Sequence, residues 1–388
     1  MKIPKIFTGI KKNVVVLSVT SLLTDISSEM LYPIIPIFLT SVLGAPMSIL
    51  GLIEGAAEAV ASILKAFSGY ISDFFERRKP FVVGGYFLSA IGKLLFFLAY
   101  SWPLIFLARL VDRIGKGVRT SPRDAMISDS CDAAYRGKAF GFHRAMDTVG
   151  ACIGPLLAFW LLYGFKDNLR SVFLIALVPA IIGVGILIVW LKETGVRSAG
   201  SRVSLKIKAG KFSPVFWKFI LISTIFSIGN SSDAFLIMRA KDIGLTTGIV
   251  ILAYVVYNIS YSVFSFPAGI ISDKLSRKTV IVAGYLVFAF VYFGFSAYAT
   301  KATIWPLFFI YGFYIAMTDG VSKAYVTDVV DKEAVGTAMG LYHCITGFAA
   351  FFASLVAGLL WTHVAPGAPF VYGAVLAIIS SVAFLMLI

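Results

Sequence analysis

From residue 13 to the last residue the sequence repeats one feature: an apolar run of about twenty residues, a short polar break, and then another run. A hydrocarbon core about 30 Å thick is crossed by roughly 20 residues of helix, and at that depth the backbone must satisfy its own hydrogen bonds. Barrel strands would read instead as alternating segments of about 10 residues. The expected fold is therefore an all-α integral membrane protein with twelve transmembrane helices. The first six lie near 13–40, 46–71, 80–100, 103–127, 136–163 and 170–192, and the second six near 213–240, 247–271, 279–300, 303–327, 335–362 and 367–388. Composition agrees: 59% of the 388 residues are hydrophobic and 14% charged, against about 25% charged in soluble domains.

The break KETGVRSAGSRVSLKIKAGK (192–211) is polar, basic and rich in Ser and Gly, so it reads as a cytoplasmic linker. It divides the chain into an N-terminal six-helix half (1–192), the linker (193–212) and a C-terminal six-helix half (213–388).

The net charge of +14 raises nucleic acid as a partner, but the placement of the charges excludes it. Lys2, Lys5, Lys11 and Lys12, then Arg77, Arg78 and Lys79, then Lys116, Arg119, Arg123, Arg136 and Lys138 mark the amino terminus and alternate loops. The linker and Lys274, Arg277 and Lys278 continue the series, while the intervening loops hold few basic residues. This is the positive-inside pattern, which places both termini in the cytoplasm and makes the bilayer the partner. The opening KIPKIFTGIKKNVVVLSVTSLL resembles a signal peptide but leads into IIPIFL without a small-residue cleavage site, so it reads as a retained helix. Cys131, Cys152 and Cys344 are scattered and form no CxxC.

A second repetition is internal. GYISDFFERRK (69–79) returns as GIISDKLSRKT (269–279), so Gly69, Asp73, Arg77 and Arg78 match Gly269, Asp273, Arg277 and Lys278. SSEML (27–31) echoes SSDAF (231–235), and GKAFGFHRAM (137–146) echoes GTAMGLYHCI (336–345). A duplication of several helices makes two pseudo-symmetric halves, an architecture that carries substrate near the midplane in transporters.

These residues resemble the major facilitator superfamily. GYISDFFERRK is similar to its G-x-x-x-D-x-x-x-R-[RK] loop motif, and the resemblance covers essentially the whole chain. LARLVDRIGKGV (107–118) resembles the fourth-helix motif R-x-x-q-G-x-G, with Arg109 as its arginine, Asp112 in the glutamine place and Arg113 where a glycine is usual. GACIGPLLAF (150–159) is similar to the fifth-helix signature of antiporters, through Gly150, Gly154 and Pro155. Read from spacing alone, Gly150 and Gly154 are a small-xxx-small face for close helix packing. The resemblance implies that Asp73 meets the start of the eleventh helix near Gly336 and Asp273 the start of the fifth near Gly137. The twin loops would then be gate contacts between the halves.

Ionisable residues inside spans are functional by default, because a charge at mid-membrane costs about 2.5–3.5 kcal/mol or more. Helix one carries Asp25 and Glu29, helix two Glu54, Glu58 and Lys65, and helix four Arg109, Asp112, Arg113 and Lys116. On helix five His143, Arg144 and Asp147 share a face. The candidate proton carriers are Asp25, Glu29, Glu58, Asp112 and Asp147. The carboxyl half supplies Asn230, Asp233, Asp319, Lys323 and a polar-aromatic stripe of Tyr254, Tyr257, Asn258 and Tyr261. Hydroxyls in a membrane need partners, so this stripe is expected to face the cavity. The candidate substrate contacts are Arg109, Arg113, His143, Asp233, Tyr254, Tyr257, Asn258, Tyr261 and Asp319.

No HExxH, GxSxG or GxxxxGK[ST] is present, which argues against an intramembrane protease and an ATP-driven pump. The expected activity is proton-coupled alternating access, exporting an organic small molecule across the inner membrane of a bacterium or archaeon. No cofactor is implied, and the expected state is monomeric. Two alternatives stand beside it: a divalent metal or metal-chelate transporter using Asp25, Glu29, His143 and Asp147, and a non-transporting membrane receptor or scaffold.

Overall fold

The structure, a computed structural model, describes residues 11–132, 135–194, 212–331 and 334–388. Most of the expected linker, 195–211, lies outside the described residues.

The first six spans are built from α1 (Lys12–Leu31), α2 (Ile34–Ile37), α3 (Met47–Phe74), α4 (Lys79–Leu98), α5 (Trp102–Asp129), α6 (Arg136–Gly164) and α7 (Leu169–Trp190). The second six use α8 (Pro214–Gly229), α9 (Ala234–Asp242), α10 (Thr247–Lys274), α11 (Arg277–Ala297), α12 (Ile304–Asp328), α13 (Val335–His363) and α14 (Ala368–Leu387). Among the described residues eleven spans are long and apolar enough to cross a membrane by length and composition. The twelfth is α5, whose Arg109, Asp112, Arg113, Lys116, Arg119, Arg123 and Asp124 make it too charged to read as a simple apolar helix. The duplication is visible in the helices themselves: α3 and α10 each have 28 residues, and α6 and α13 each have 29.

Two spans that read as continuous in the sequence are broken. The first breaks at Tyr32–Pro33, where a proline cannot donate to the helical ladder, and after α2 the chain widens into a π-helical turn over Phe38–Val42. The seventh breaks at Asn230–Asp233. Asn and Ser side chains compete for backbone hydrogen bonds, and three of them in a row after Gly229 end α8.

The helices pack into two compact units. One unit runs to Tyr32 and resumes at Ile63; the other takes Pro33–Ser62 and the described chain beyond the linker, so α3 contributes to both. In the first unit α1 packs on α6 and α7, and α4 packs on α5 and α7. Val14, Leu17, Val82, Met126, Ile127 and Leu187 fill an apolar core there. In the second unit the core is aromatic: Phe226 stacks on Tyr285 at 3.9 Å and Phe288 on Tyr292 at 3.8 Å between ring centres. Large apolar side chains such as Trp160, Val189, Phe266, Phe290 and Leu385 lie exposed, as a lipid-facing surface requires.

Candidate functional site

Each unit encloses its own polar cluster. In the first unit α1 presents Asp25 and Glu29 one turn apart, and α6 meets them with bare backbone. A Cβ on Gly150 would lie 2.9 Å from the Asp25 Cβ, and one on Gly154 would lie 2.9 Å from the Glu29 Cβ. The glycine pair therefore brings α6 into backbone contact with α1 at the two carboxylates, with Pro155 buried beside Gly154. Asp147 lies on α6 one turn before Gly150, on the helix that packs against Asp25. His143, buried on α6, places Nδ1 3.3 Å from Asp147 Oδ1.

From the opposite side α4 and α5 supply the cations. Lys93 is 1% exposed, yet its ammonium has no hydrogen-bond partner among the described residues and stands 3.9 Å from Asp112 Oδ1. Arg113, Arg109 and Arg119 also act on Asp112. Arg119, buried, donates from Nη1 to Ser89 Oγ at 2.5 Å and lies over the Tyr86 ring at 4.4 Å. The Arg109 guanidinium covers Tyr32 at 5.3 Å. Arg123 donates to Asp124 at 2.9 Å and to Ser21 at 3.3 Å. Charges this deep are tolerated only because they compensate one another, and breaking one such pair typically costs about 3–5 kcal/mol.

Lys116, Arg119 and Arg123 serve both as members of the basic series and as residues of the expected fourth span, and the structure places all three inside α5. Lys93, a single lysine within GYFLSAIGKLLFFL, is the signal that an ionisable group in a span provides, and the sequence expectations do not include it.

The second unit holds Asp233 at the break between α8 and α9. Its Oδ1 accepts from Tyr311 Oη at 2.7 Å and its Oδ2 from Tyr257 Oη at 3.2 Å. Beside it, Ser232 donates to Glu54 at 3.3 Å, and Asn230 Nδ2 donates to Tyr314 Oη at 3.2 Å. Tyr261 donates to Asp319 at 3.1 Å, and Lys323 donates to the same carboxylate at 2.6 Å. The stripe of Tyr254, Tyr257 and Asn258 is buried, turned toward Asp233 through Tyr257. Glu58, in contrast, is exposed on α3 and joins neither cluster's recorded hydrogen bonds.

The twin loops are built alike within their own units. Ser72 donates to the Gly69 carbonyl at 2.9 Å, and Ser272 to the Gly269 carbonyl at 2.7 Å. Arg78 bridges Asp73, at 2.9 Å, to Asp129 at the end of α5. In the second copy the bridge is made by Arg277, 3.4 Å from Asp273 and also paired to Asp328 of α12. The bridging arginine thus shifts by one position between copies, so Lys278 does not take the role of Arg78. Among the described residues no three His, Cys, Asp or Glu side chains come together to hold a metal ion, so Asp25, Glu29, His143 and Asp147 do not form a coordination set.

Comparison with known proteins gives the family. The family profile described as "Major Facilitator Superfamily" matches residues 17–239 and 233–388. An uncharacterized MFS-type transporter of Methanocaldococcus jannaschii is 39% identical over 385 residues, covering 97% of this chain and 95% of the relative. A multidrug resistance protein, MdtH, of Photorhabdus laumondii is 31% identical over 147 residues, 38% of this chain and 36% of that protein. Among solved structures, the crystal structure of a D-xylose-proton symporter superposes with a TM-score of 0.76 at 17% identity, covering 96% of each chain, which shows the shared fold. With twelve helical spans, an internal duplication and a whole-length profile match, this chain belongs to the major facilitator superfamily and is a multi-pass membrane transporter of small molecules.

Proposed function

We propose that the protein is a proton-coupled antiporter that exports an organic small molecule across the cytoplasmic membrane of a prokaryote, with both termini inside the cell. The observation that carries the proton reading is the pair Asp25 and Glu29, one turn apart on α1 and both pressed against the α6 backbone at Gly150 and Gly154. Two carboxylates so placed in a span favour keeping a proton between them, and this is the exchangeable arrangement that coupling needs. Asp112, held among Lys93 and three arginines, serves as a fixed counter-charge; Asp25 with Glu29 carries the proton.

Export is supported by the partial similarity to the multidrug resistance protein and by Gly150, Gly154 and Pro155 at the α1–α6 contact. Orientation is supported by the basic Arg77–Lys79 and Lys274–Lys278 segments on one side. The halves, divided by the linker, alternate by rocking, with Asp73 and Asp273 as gate residues. An organic substrate is favoured over a bare metal ion because aromatic side chains surround the acidic residues of the second unit, whereas metal ions want clustered direct ligands. The test is a pair of single substitutions, Asp25→Asn and Glu29→Gln, in reconstituted vesicles. At least one should abolish gradient-driven transport while retaining exchange at zero gradient. If both variants still concentrate substrate at the parental rate, the proton is carried elsewhere.

A further inference from the structure

A carboxylate, ring faces and a helix break converge at one place in the second unit. Asp233 closes the four-residue interruption of the seventh span, immediately before α9. Its two oxygens each accept a phenol proton, from Tyr311 at 2.7 Å and Tyr257 at 3.2 Å, so the carboxylate is held in one orientation. The same rings build a wall: Tyr257 and Tyr311 are 5.4 Å apart between centres, Tyr254 and Tyr257 5.3 Å, and Tyr311 and Tyr314 5.3 Å. α12 is pressed onto α10 at this level, where a Cβ on Gly312 would lie 2.9 Å from the Tyr261 backbone nitrogen. Next to Asp233, Glu54 accepts from Ser232. Two buried polar atoms have no hydrogen-bond partner among the described residues: Asn230 Oδ1, three positions before Asp233, and Asn258 Nδ2, next to Tyr257 on a residue 6% exposed.

Unmade hydrogen bonds of buried amides cost about 1–3 kcal/mol each, and an acceptor so placed is satisfied by a ligand that donates. A carboxylate beside aromatic faces is the chemistry that selects an organic cation: Coulomb attraction fixes the charge, and ring quadrupoles add about 0.5–2 kcal/mol per contact.

We infer that Asp233, walled by Tyr254, Tyr257 and Tyr311, is the recognition point for the protonated amine of an organic substrate. The ammonium donates to Asp233 and to Asn230 Oδ1, and its apolar body lies on the tyrosines. This deepens, and rests on, the reading of the protein as a carrier of organic molecules. It reverses the charge that pairing through Arg109 or Arg113 would have selected.

A charge-matched series isolates the point: 2-phenylethylammonium, 2-phenylethanol and phenylacetate, titrated calorimetrically into purified full-length protein. The ammonium compound is expected to bind at least ten-fold tighter than the alcohol, with phenylacetate weakest. Asp233→Asn should remove that preference, Asp233→Glu should restore part of it, and Tyr311→Phe should weaken ammonium binding about two- to five-fold without changing alcohol binding. Monodisperse elution of each variant keeps a folding defect separate, and a parent that binds none of the three, prefers phenylacetate, or keeps its ammonium affinity within two-fold in Asp233→Asn overturns the inference. The transporter reading has its own readout. Proton-gradient-dependent vesicle transport of phenylacetate that survives Asp233→Asn would retain the carrier and discard the amine site, whereas ammonium binding without any transport would count against the carrier itself.

Discussion

Lys93 is the place where burial and charge disagree most, so its replacement gives the sharpest number. Two unit charges 3.9 Å apart attract by about 4 kcal/mol at an effective dielectric of about 20. Lys93 has no hydrogen bond among the described residues to share that load, and removing it leaves Asp112 buried on α5. Lys93→Met keeps the length and apolar stem of the side chain, so the loss is electrostatic, and because Arg113, Arg109 and Arg119 still act on Asp112 it should fall at or below the low end of the about 3–5 kcal/mol of a broken buried pair. Asp112→Asn should cost more, because it leaves Lys93 beside Arg119 and Arg113 with their repulsion uncompensated, whereas Lys93→Met leaves Asp112 with its arginines. In the double variant Lys93→Met with Asp112→Asn both charges are gone, and part of the single losses should be recovered. Denaturation in mixed detergent, followed by tryptophan fluorescence for the parent and three variants, yields the interaction energy of the cycle. A coupling of about 2–4 kcal/mol is expected. Losses that add within about 0.5 kcal/mol would refute the pairing and leave Lys93 serving some partner other than Asp112.

Other consequences are more local. Gly150→Ala puts a methyl 2.8 Å from the Leu22 carbonyl oxygen and 2.9 Å from the Asp25 Cβ, so it should destabilise by about 1–3 kcal/mol, measured in the same denaturation assay. It should also slow transport more than Gly141→Ala, where nothing lies within 4 Å. Asp73→Asn loosens a pair whose carboxylate is 43% exposed, so stability should change by less than about 1 kcal/mol. If Asp73 acts as a gate residue, cysteine labelling from the cytoplasmic side should nevertheless rise in that variant; labelling equal to the parent's would limit Asp73 to a local role. Removing Arg78 should be felt more strongly than removing Arg77, because Arg78 alone of the two bridges Asp73 and Asp129, and comparing the alanine variants by transport rate checks this.

The helical spans were legible because a bilayer imposes one length and one composition on every crossing, and the ends of α3, α6 and α10 fall within a few residues of where hydropathy puts them. The breaks were not. LYPIIPIF and IGNSSDAF carry their prolines, serines and asparagine in plain view, but hydropathy averages across them. The charged residues of α1, α5 and α6 announced the first cluster through helical spacing, since i and i+4 share a face whatever the tertiary packing. Which residue answers which charge was beyond any spacing rule. Lys93 reaches Asp112 only because α4 lies along α5, and Tyr311 reaches Asp233 across 78 positions of chain. Arg119 lies within the span that hydropathy gives, 103–127, but its partner was not legible, since an arginine near a span's end looks like a topology signal until its guanidinium is found over Tyr86.

In an antiporter, substrate and proton move in opposite directions through the chain. Everted membrane vesicles from cells producing the protein, energised by respiration and loaded with a pH-quenched dye, measure that exchange directly. Adding 2-phenylethylammonium should raise the dye signal within seconds as protons leave the lumen. The rise in excess of that in vesicles without the protein, where the neutral amine crosses the bilayer unaided, should be strongly reduced in Asp25→Asn. Labelled amine that enters the vesicles through the protein with no change in dye signal, or with a further fall, would contradict antiport and with it the role assigned to the charged cluster of α1, α4, α5 and α6.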